Sequence, residues 1–457
     1  MTTPSIAYKR RLVRTLRCKN RNVVGTLAGL LTIISEMGVE LGMIKTVALG
    51  EANNVRDISI LVNDEAHLDL VIARIHTIPN VELVQVIDEV LDCHLGGKIK
   101  VVPTYPVHSV DDLRKVYTPG VAQVTAMIKR NPKDAIHYTS IPKNVALITN
   151  GSRVLGLGNT GPVASMPVME GKAALFAQFT GLNMIPILLE TRDPDKFVET
   201  VMAIHSGFAA IQLEDIEAPQ CFEIEERLKK SLQKPVMHDD QHGTAVVALA
   251  AAINASKLCN QDLKNLKIGQ VGLGAAGLAI ARLIQEYTGT KVMGTDLSEE
   301  AEVRFKAIGG VFTDLETIMS QCQFVISTTG RRNLIKPEMI QKGQIILALS
   351  NPYPEIASED AIAAGAAFAA DGARVNNLLG YPGIFKGALK AQATEINLEM
   401  LLAASMAIVR CTPEGEIVPT PIQSRLHNEV ARSVADAAFS TGVAMTKPEE
   451  YQEVVED

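Results

Sequence analysis

Gly272-Leu-Gly274-Ala275-Ala276-Gly277 constrains this chain more than any other stretch. It follows a short apolar run, residues 267–271, and leads into residues 278–287, which carry helical periodicity. Glycines at that spacing between a strand and a helix each have a use. Gly272 permits the tight turn, Gly274 lets a pyrophosphate approach the backbone, and Gly277 lets the helix pack on the strand. The free N–H groups of the first helical turn, around Ala275 and Ala276, then face the phosphates. The next apolar run, residues 291–296, ends in Asp296, about 20 residues further on, where a ribose is held. Asp296 would repel a 2′-phosphate, so the cofactor reads as NAD. Arg331 and Arg332 leave NADP open. Strands expected over 323–328 and 344–349 put Thr328 and Asn351 at carboxyl ends, where a doubly wound α/β sheet binds its ligands.

The chain has 457 residues, suggesting about three domains of ~150 each. A net charge of −7 is unlike a protein built around a polyanion, so no nucleic-acid partner is expected. Hydrophobic residues at 47% exclude a disordered chain. The six cysteines contain no Cys-x-x-Cys pair, which argues against a zinc ribbon and for a reducing, cytoplasmic setting. Residues 1–20 are basic without an apolar segment, so no signal peptide is expected. The longest strongly apolar stretch, residues 245–253, is far short of a membrane span, so no membrane partner is expected.

Three regions differ in pattern: 1–96, 97–255 and 256–457. In the first, strands are expected over 11–18, 41–49, 57–62 and 81–90, and helices over 24–37 and 65–76. The order is βαββαβ, an α+β sandwich. The basic run 9–21 reads as a solvated edge strand. With Asn22-Val-Val-Gly25-Thr-Leu at the first strand–helix turn, this region resembles an ACT domain. The resemblance implies a small-molecule effector site or a dimerisation module. Gly96-Gly97 reads as the hinge that follows.

The middle region holds two acidic pairs. A strand over 208–213 ends in Glu214-Asp215, and one over 235–237 ends in His238-Asp239-Asp240-Gln-His242-Gly243-Thr. A helix over 245–255 comes next. Four carboxylates at successive strand ends repel one another unless a cation lies between them, and oxygen ligands suit Mg²⁺ or Mn²⁺. The competing reading is solvated turn acids favouring a helix N-terminus. His238 and His242 lack a zinc-helix pattern and read as hydrogen-bonding or core histidines. Upstream, Ser109-Val-Asp-Asp112 is a capping box. Tyr117 follows at a helix junction, with Thr118-Pro119 expected to start the next helix. Thr149-Asn-Gly-Ser-Arg153 and the glycines after it lack the Gly-Lys-Ser/Thr ending of a nucleotide loop.

Tyr117-Thr-Pro-Gly-Val-Ala, Val154-Leu-Gly-Leu-Gly158, Glu170-Gly-Lys172, Leu213-Glu-Asp-Ile216 and His238-Asp-Asp-Gln-His-Gly-Thr-Ala245 together resemble the malic enzymes, in their short bacterial form. Ser350-Asn351-Pro352, Asn376-Asn377 and Tyr381-Pro-Gly-Ile-Phe385 match later motifs of that family. The implied fold is an α/β malic-enzyme N-terminal domain and a Rossmann-type cofactor domain, preceded by the ACT-like domain.

The implied reaction is oxidative decarboxylation of malate to pyruvate and CO₂. By the resemblance, Lys172 is the base, assisted by Asp239, and Tyr117 is the general acid. Glu214, Asp215 and Asp240 hold the metal. Arg153 and Asn351 hold substrate, as does one of Asn376 and Asn377. A lysine base needs a depressed pKa. A homodimer or homotetramer is implied. The alternatives are an NADP-preferring malic enzyme, a related 2-hydroxy acid dehydrogenase, and a catalytically silent metabolite sensor. An acyl-phosphate transferase extension, carried by some longer forms, is not expected.

Overall fold

The first strand, β1 (Leu12–Arg21), alternates buried and open positions, and the buried ones carry the sheet. Leu16 and Cys18 face a core shared with Ile58, Ile60 and Val62, and with the helix residues Leu30, Ile34, Leu68, Val71 and Ile75. The computed structural model describes residues 12–154 and 156–446. The expected starts of the first strand at Arg11 and of the basic run at Lys9 lie outside them.

After β1 come α1 (Thr26–Glu36), β2 (Glu40–Leu49), β3 (Asn53–Val62), α2 (Glu65–Ile75) and β4 (Val81–Ile87). The βαββαβ order is observed. The sheet is antiparallel in the order β2-β3-β1-β4. This corrects one expectation: β1 is a central strand and not an edge. Its charges are tolerated because they are paired. Arg14 meets Glu65 and Asp88, Arg17 meets Asp57, and Lys19 meets Glu82. The last strand also ends earlier than expected, because Asp88 caps α3 (Glu89–Asp92) by accepting from Val90 and Leu91 N–H. Gly96 and Gly97 both have positive φ, and the chain divides into two compact units between Lys100 and Val101.

The second unit opens with α4 (Val110–Val116), α5 (Val121–Arg130) and α6 (Ala135–Tyr138). Ser109 and Asp112 form the expected capping box at the start of α4. Thr118 does not cap α5. That helix starts two residues later with Gly120 as its N-cap, because the Thr118-Pro119 turn comes first.

Next come β5 (Asn144–Thr149), α7 (Pro162–Thr180), β6 (Asn183–Leu188), α8 (Pro194–Ile204), β7 (Ala210–Leu213), α9 (Gln220–Ser231) and β8 (Val236–His238). Their strands form a parallel sheet, β6-β5-β7-β8. The long helix α10 (Asp239–Leu258) begins six residues before the expected start, so Asp239 and Asp240 lie in its first turn. Acidic residues are favourable there against the helix dipole. Residues 245–252 of α10 are all buried. This alanine-rich run packs against both halves of the unit, sharing one core with β5 and with the second sheet.

That second sheet alternates with helices as the glycine turn predicts. The order along the chain is β9 (Ile268–Val271), α11 (Ala275–Thr288), β10 (Met293–Thr295), α12 (Glu299–Ala307), β11 (Val311–Phe312), α13 (Leu315–Gln321), β12 (Phe324–Ser327), β13 (Ile345–Ala348), α14 (Ser358–Ala363) and β14 (Phe368–Asp371). The strands lie parallel as β11-β10-β9-β12-β13-β14, a Rossmann-type doubly wound sheet. Helices α15 (Tyr381–Lys390), α16 (Leu398–Cys411) and α17 (Ser424–Ser440) close the chain over α10 and α7. Among the described residues, no helix is long and apolar enough to cross a membrane.

Candidate active site

Residues just past the carboxyl ends of β7, β8, β9 and β12 line one cavity of about 290 Å³. Into it come Lys172, Glu214, Asp215, Asp240, Arg153 and Asn377 from the polar motifs. Gly274, Ala275, Ala276 and Thr328 come from the cofactor motifs. A second cavity, of about 310 Å³, shares Arg153, Gly274 and Thr328 with the first and adds Gly272 and Asp296. A third, of about 610 Å³, again contains Arg153 and adds Asn351 and Asn376 beside Asn377.

Arg153 therefore stands where all three meet. Gly277 lines none of them. A Cβ there would overlap Gly272 O, so its role is the close helix–strand packing expected of the third glycine. Tyr117 lines none of the three either. It is 68% exposed at the C-terminal cap of α4.

Lysine 172 reaches the cavity from α7, whose start is set by Gly161 at positive φ and Pro162 at the first helical position. Its Nζ donates to Glu214 Oε1 and to Asp239 Oδ2. The Tyr381 ring lies over it, 4.6 Å from Nζ to the ring centre. The Tyr381 hydroxyl also donates to the Lys172 carbonyl at 3.1 Å. Asn377 Nδ2 donates to Asp239 Oδ2 at 2.6 Å, whereas Asn376 turns its Oδ1 to accept from Leu378 N–H. The two adjacent asparagines thus do different things. Asn351 Nδ2 donates to Gly372 O at 3.1 Å.

Adjacent acids on a regular strand would face opposite ways. Here β7 has already ended at Leu213, and Asp215 takes a left-handed φ of 53°, so both carboxylates turn to the same side. Glu214, Asp215 and Asp240 bring oxygen atoms within 4.8 Å of one another. Asp215 Oδ2 is buried with no hydrogen-bond partner, which is costly unless a cation takes it up. This all-carboxylate set fits a hard divalent cation such as Mg²⁺ or Mn²⁺. His238 and His242 are instead engaged with Gln241 and Glu225.

The electrostatics describe one crowded group. Burial pushes the Asp215 carboxyl up, with repulsion from Asp240 adding to it, to about 7. Burial likewise raises Glu214, although Lys172 opposes it, and raises Asp239. Asp240 moves the other way. Burial opposes ionisation, but the His238 imidazole outweighs it and holds the carboxyl below its ordinary value. Lys172 is subject to opposing effects. Burial works to lower its ammonium, yet Asp239 and Glu214 outweigh that and hold it above its ordinary value. The two carboxylates in direct contact with the amine favour its charged form.

In the cofactor half, Asp296 Oδ2 accepts from Leu273 N–H at 2.6 Å and its Oδ1 from Ser298 N–H at 3.0 Å. The acid therefore braces the glycine turn while it lines the second cavity. Arg331 lines that cavity as well.

Four residues to which the sequence assigned no role support the site. Gln212 donates to Glu214 Oε2 at 3.0 Å. Tyr381 covers Lys172. Gly243 leaves the space that Asp239 Oδ1 occupies, which a Cβ would overlap. Glu225, on α9, accepts from His238 N–H. Gly243 sits four residues after Asp239, one helical turn on, which is a usable signal. Glu225 offered none, since the site residues it meets, His238, Gln241 and His242, are more than ten residues away in the chain.

Residues 96–229 match the family model described as malic enzyme, N-terminal domain. Residues 238–344 match the NAD binding domain of D-isomer specific 2-hydroxyacid dehydrogenases. The chain is 50% identical over 431 residues to NAD-dependent malic enzyme 1 of Bacillus subtilis, covering 94% of this chain and 98% of that protein. It is 37% identical over 456 residues to the NAD-dependent malic enzyme of Geobacillus stearothermophilus, covering 94% and 95%. Among solved structures, a malic enzyme from Pyrococcus horikoshii superimposes with a TM-score of 0.74 at 36% identity. That match covers 80% of this chain and 94% of the other.

Proposed function

The chain belongs to the malic enzyme family, and from that premise we propose that it oxidises and decarboxylates malate to pyruvate and CO₂ with NAD. The observation that carries this is the joining of two chemistries in one cavity. Lys172 with its carboxylates lines the same space as Gly274, Ala275 and Ala276 of the cofactor turn. An Asp296 carboxylate at the ribose end supports NAD over NADP.

When bound, the divalent cation supplies Lewis acidity at the C2 oxygen of malate and NAD supplies the hydride acceptor. Glu214, Asp215 and Asp240 would hold the cation. Gly272, Gly274, Ala275, Ala276, Asp296 and Thr328 would hold the cofactor. Arg153 offers a planar fork to a substrate carboxylate, and Asn351 and Asn377 orient the substrate.

Lys172 moves the proton. To act as a base its Nζ first gives up a proton, for which Asp239 Oδ2 is the acceptor in contact, and it then takes the proton of the C2 hydroxyl. Tyr117 then protonates C3 of enolpyruvate.

Initial rates with malate, lactate or tartrate, with NAD or NADP, and with Mn²⁺ or Mg²⁺ test the reading. Malate with NAD should be fastest. Lys172→Ala should lower cofactor reduction by about 10²–10⁴-fold, the range for loss of a positioned base. No malate-dependent NADH from the wild-type protein would refute the assignment, including the choice against a silent sensor.

The proposal extends to assembly. In α4, α5 and α6 no residue is buried, and Val101, Tyr105, Val110, Leu113, Val116 and Tyr138 stay exposed. A run of exposed apolar side chains that size marks a protein interface. A homodimer in which this segment packs on a second copy would cover it and carry Tyr117 to the partner's Lys172. We also assign the βαββαβ unit a small-molecule effector. A metabolite that changes the rate of the full chain should lose its effect when residues 1–96 are removed. A cytoplasmic location fits the free cysteines.

A further inference from the structure

Behind the acid cluster runs a buried polar chain that the reaction above does not use. Glu225 on α9 is 5% exposed at the junction of β8 and α10. Its carboxylate accepts from His238 N–H at 2.9 Å, Gln241 Nε2 at 3.1 Å and His242 Nε2 at 3.0 Å, and it pairs with Lys229 Nζ at 2.9 Å. A carboxylate surrounded by four donors is an acceptor only, so every group facing it must present a hydrogen.

That requirement fixes the next link. Gln241 must turn Nε2, not Oε1, towards Glu225. The same Nε2 lies 3.1 Å from His238 Nδ1, and its second hydrogen points there. Nδ1 is therefore an acceptor and carries no hydrogen. A ring protonated at both nitrogens would set Nδ1–H against the amide hydrogens, donor against donor. The imidazole hydrogen then sits on Nε2, which is 3.1 Å from Asp240 Oδ2 but outside hydrogen-bond geometry, and Nε2 is buried with no other hydrogen-bond partner. Asp240 Oδ2 also accepts from Asp215 N–H at 2.9 Å.

We propose that Glu225 and Gln241 are positioning residues that fix His238 as the Nε2–H tautomer, which sets its hydrogen, and no lone pair, beside Asp240 Oδ2 and leaves the other oxygen of Asp240 to a divalent cation. The proposal rests on the cation reading of Glu214, Asp215 and Asp240, and adds to it what sets the orientation of one ligand. Outer partners of this kind typically contribute 10–100-fold in metal affinity.

Two measurements on the full-length chain test it. The first is the ¹⁵N signature of His238 in the metal-free protein, which should report hydrogen on Nε2 alone. In Gln241→Glu the second amide hydrogen is gone and an acceptor faces Nδ1, so hydrogen should appear on Nδ1. The second is Mn²⁺ affinity, read by electron paramagnetic resonance without substrate or cofactor. Gln241→Met and Gln241→Glu should each bind Mn²⁺ about 10–100-fold more weakly than the wild type. Either variant alone carries the test if the other fails to fold. Hydrogen on Nδ1 in the wild type would overturn the proposal, as would variants that keep Mn²⁺ affinity within about twofold, well short of the outer-partner range. A wild-type protein that binds no Mn²⁺ yet shows the Nε2–H signature would instead refute the cation reading.

Discussion

Lys172 is buried under Tyr381 and between Glu214 and Asp239. Each neighbour has a separable physical role. The ring and the two carboxylates favour the ammonium, while Asn377 shares Asp239 Oδ2 and fixes that carboxylate's position. Asp239 keeps its place only because α10 has no side chain at Gly243, where a Cβ would overlap Oδ1. Two effects of Gly243→Ala therefore oppose each other. Alanine favours a helix interior by up to about 1 kcal/mol over glycine. The methyl would displace the Asp239 carboxylate from Lys172, and a misplacement of about 1 Å can cost roughly 10²-fold in rate. We expect Gly243→Ala to lower kcat by about that factor while the unfolding midpoint changes little. Steady-state kinetics beside thermal unfolding would decide it; unaltered kcat would mean that the Asp239 position does not matter.

Among the elements, β1 shows both what was legible and what was not. Its alternation could be read from Leu16 and Cys18, and βαββαβ followed from periods of 2 and 3.6. Its central place could not, because the charges that look solvated are paired across strands. Arg17 and Asp57 are 40 residues apart, yet they stand in register between β1 and β3. The same limit applied to the site. The motifs named Glu214, Asp215, Asp239 and Asp240 because each lies at a strand end or a helix start, and Lys172, in the middle of α7, through the family resemblance. Glu225 and Tyr381 reach the site only through the packing of α9 and α15.

The Arg17–Asp57 pair makes a testable claim. Two hydrogen bonds from Arg17, at 2.7 and 2.8 Å, hold the Asp57 carboxyl below its ordinary value against burial. A depressed carboxyl adds stability that is fully present above its unfolded value, about 3.9, and lost as pH falls through the folded value. Asp57→Asn should therefore cost roughly 0.5–1 kcal/mol at neutral pH, as for a part-exposed pair. The difference should shrink towards zero below about pH 4. Urea unfolding of both proteins across that range would show it, and a difference that does not vary with pH would contradict the pairing.

For the whole molecule, the question is where the proton for C3 comes from. Lys172, the carboxylates and the cofactor turn are assembled within one chain, but Tyr117 is not among the residues lining their cavities. It sits instead in a stretch whose apolar side chains, Val110, Leu113, Val116 and Val121 among them, have no cover. The proposed second copy would account for both facts at once, since a two-fold dimer would give each cavity the other chain's Tyr117. The consequence is a complementation pattern. Tyr117→Phe and Lys172→Ala should each be nearly inactive in pyruvate formation as pure proteins. Mixed and allowed to exchange subunits, half of the dimers would be hybrids. Each hybrid would hold one cavity with both residues intact and one with both replaced. Pyruvate formation should then recover to roughly a quarter of the wild-type rate, as random pairing in a closed dimer requires. If Tyr117 served its own chain's Lys172, no cavity in any hybrid would be complete and mixing would restore nothing.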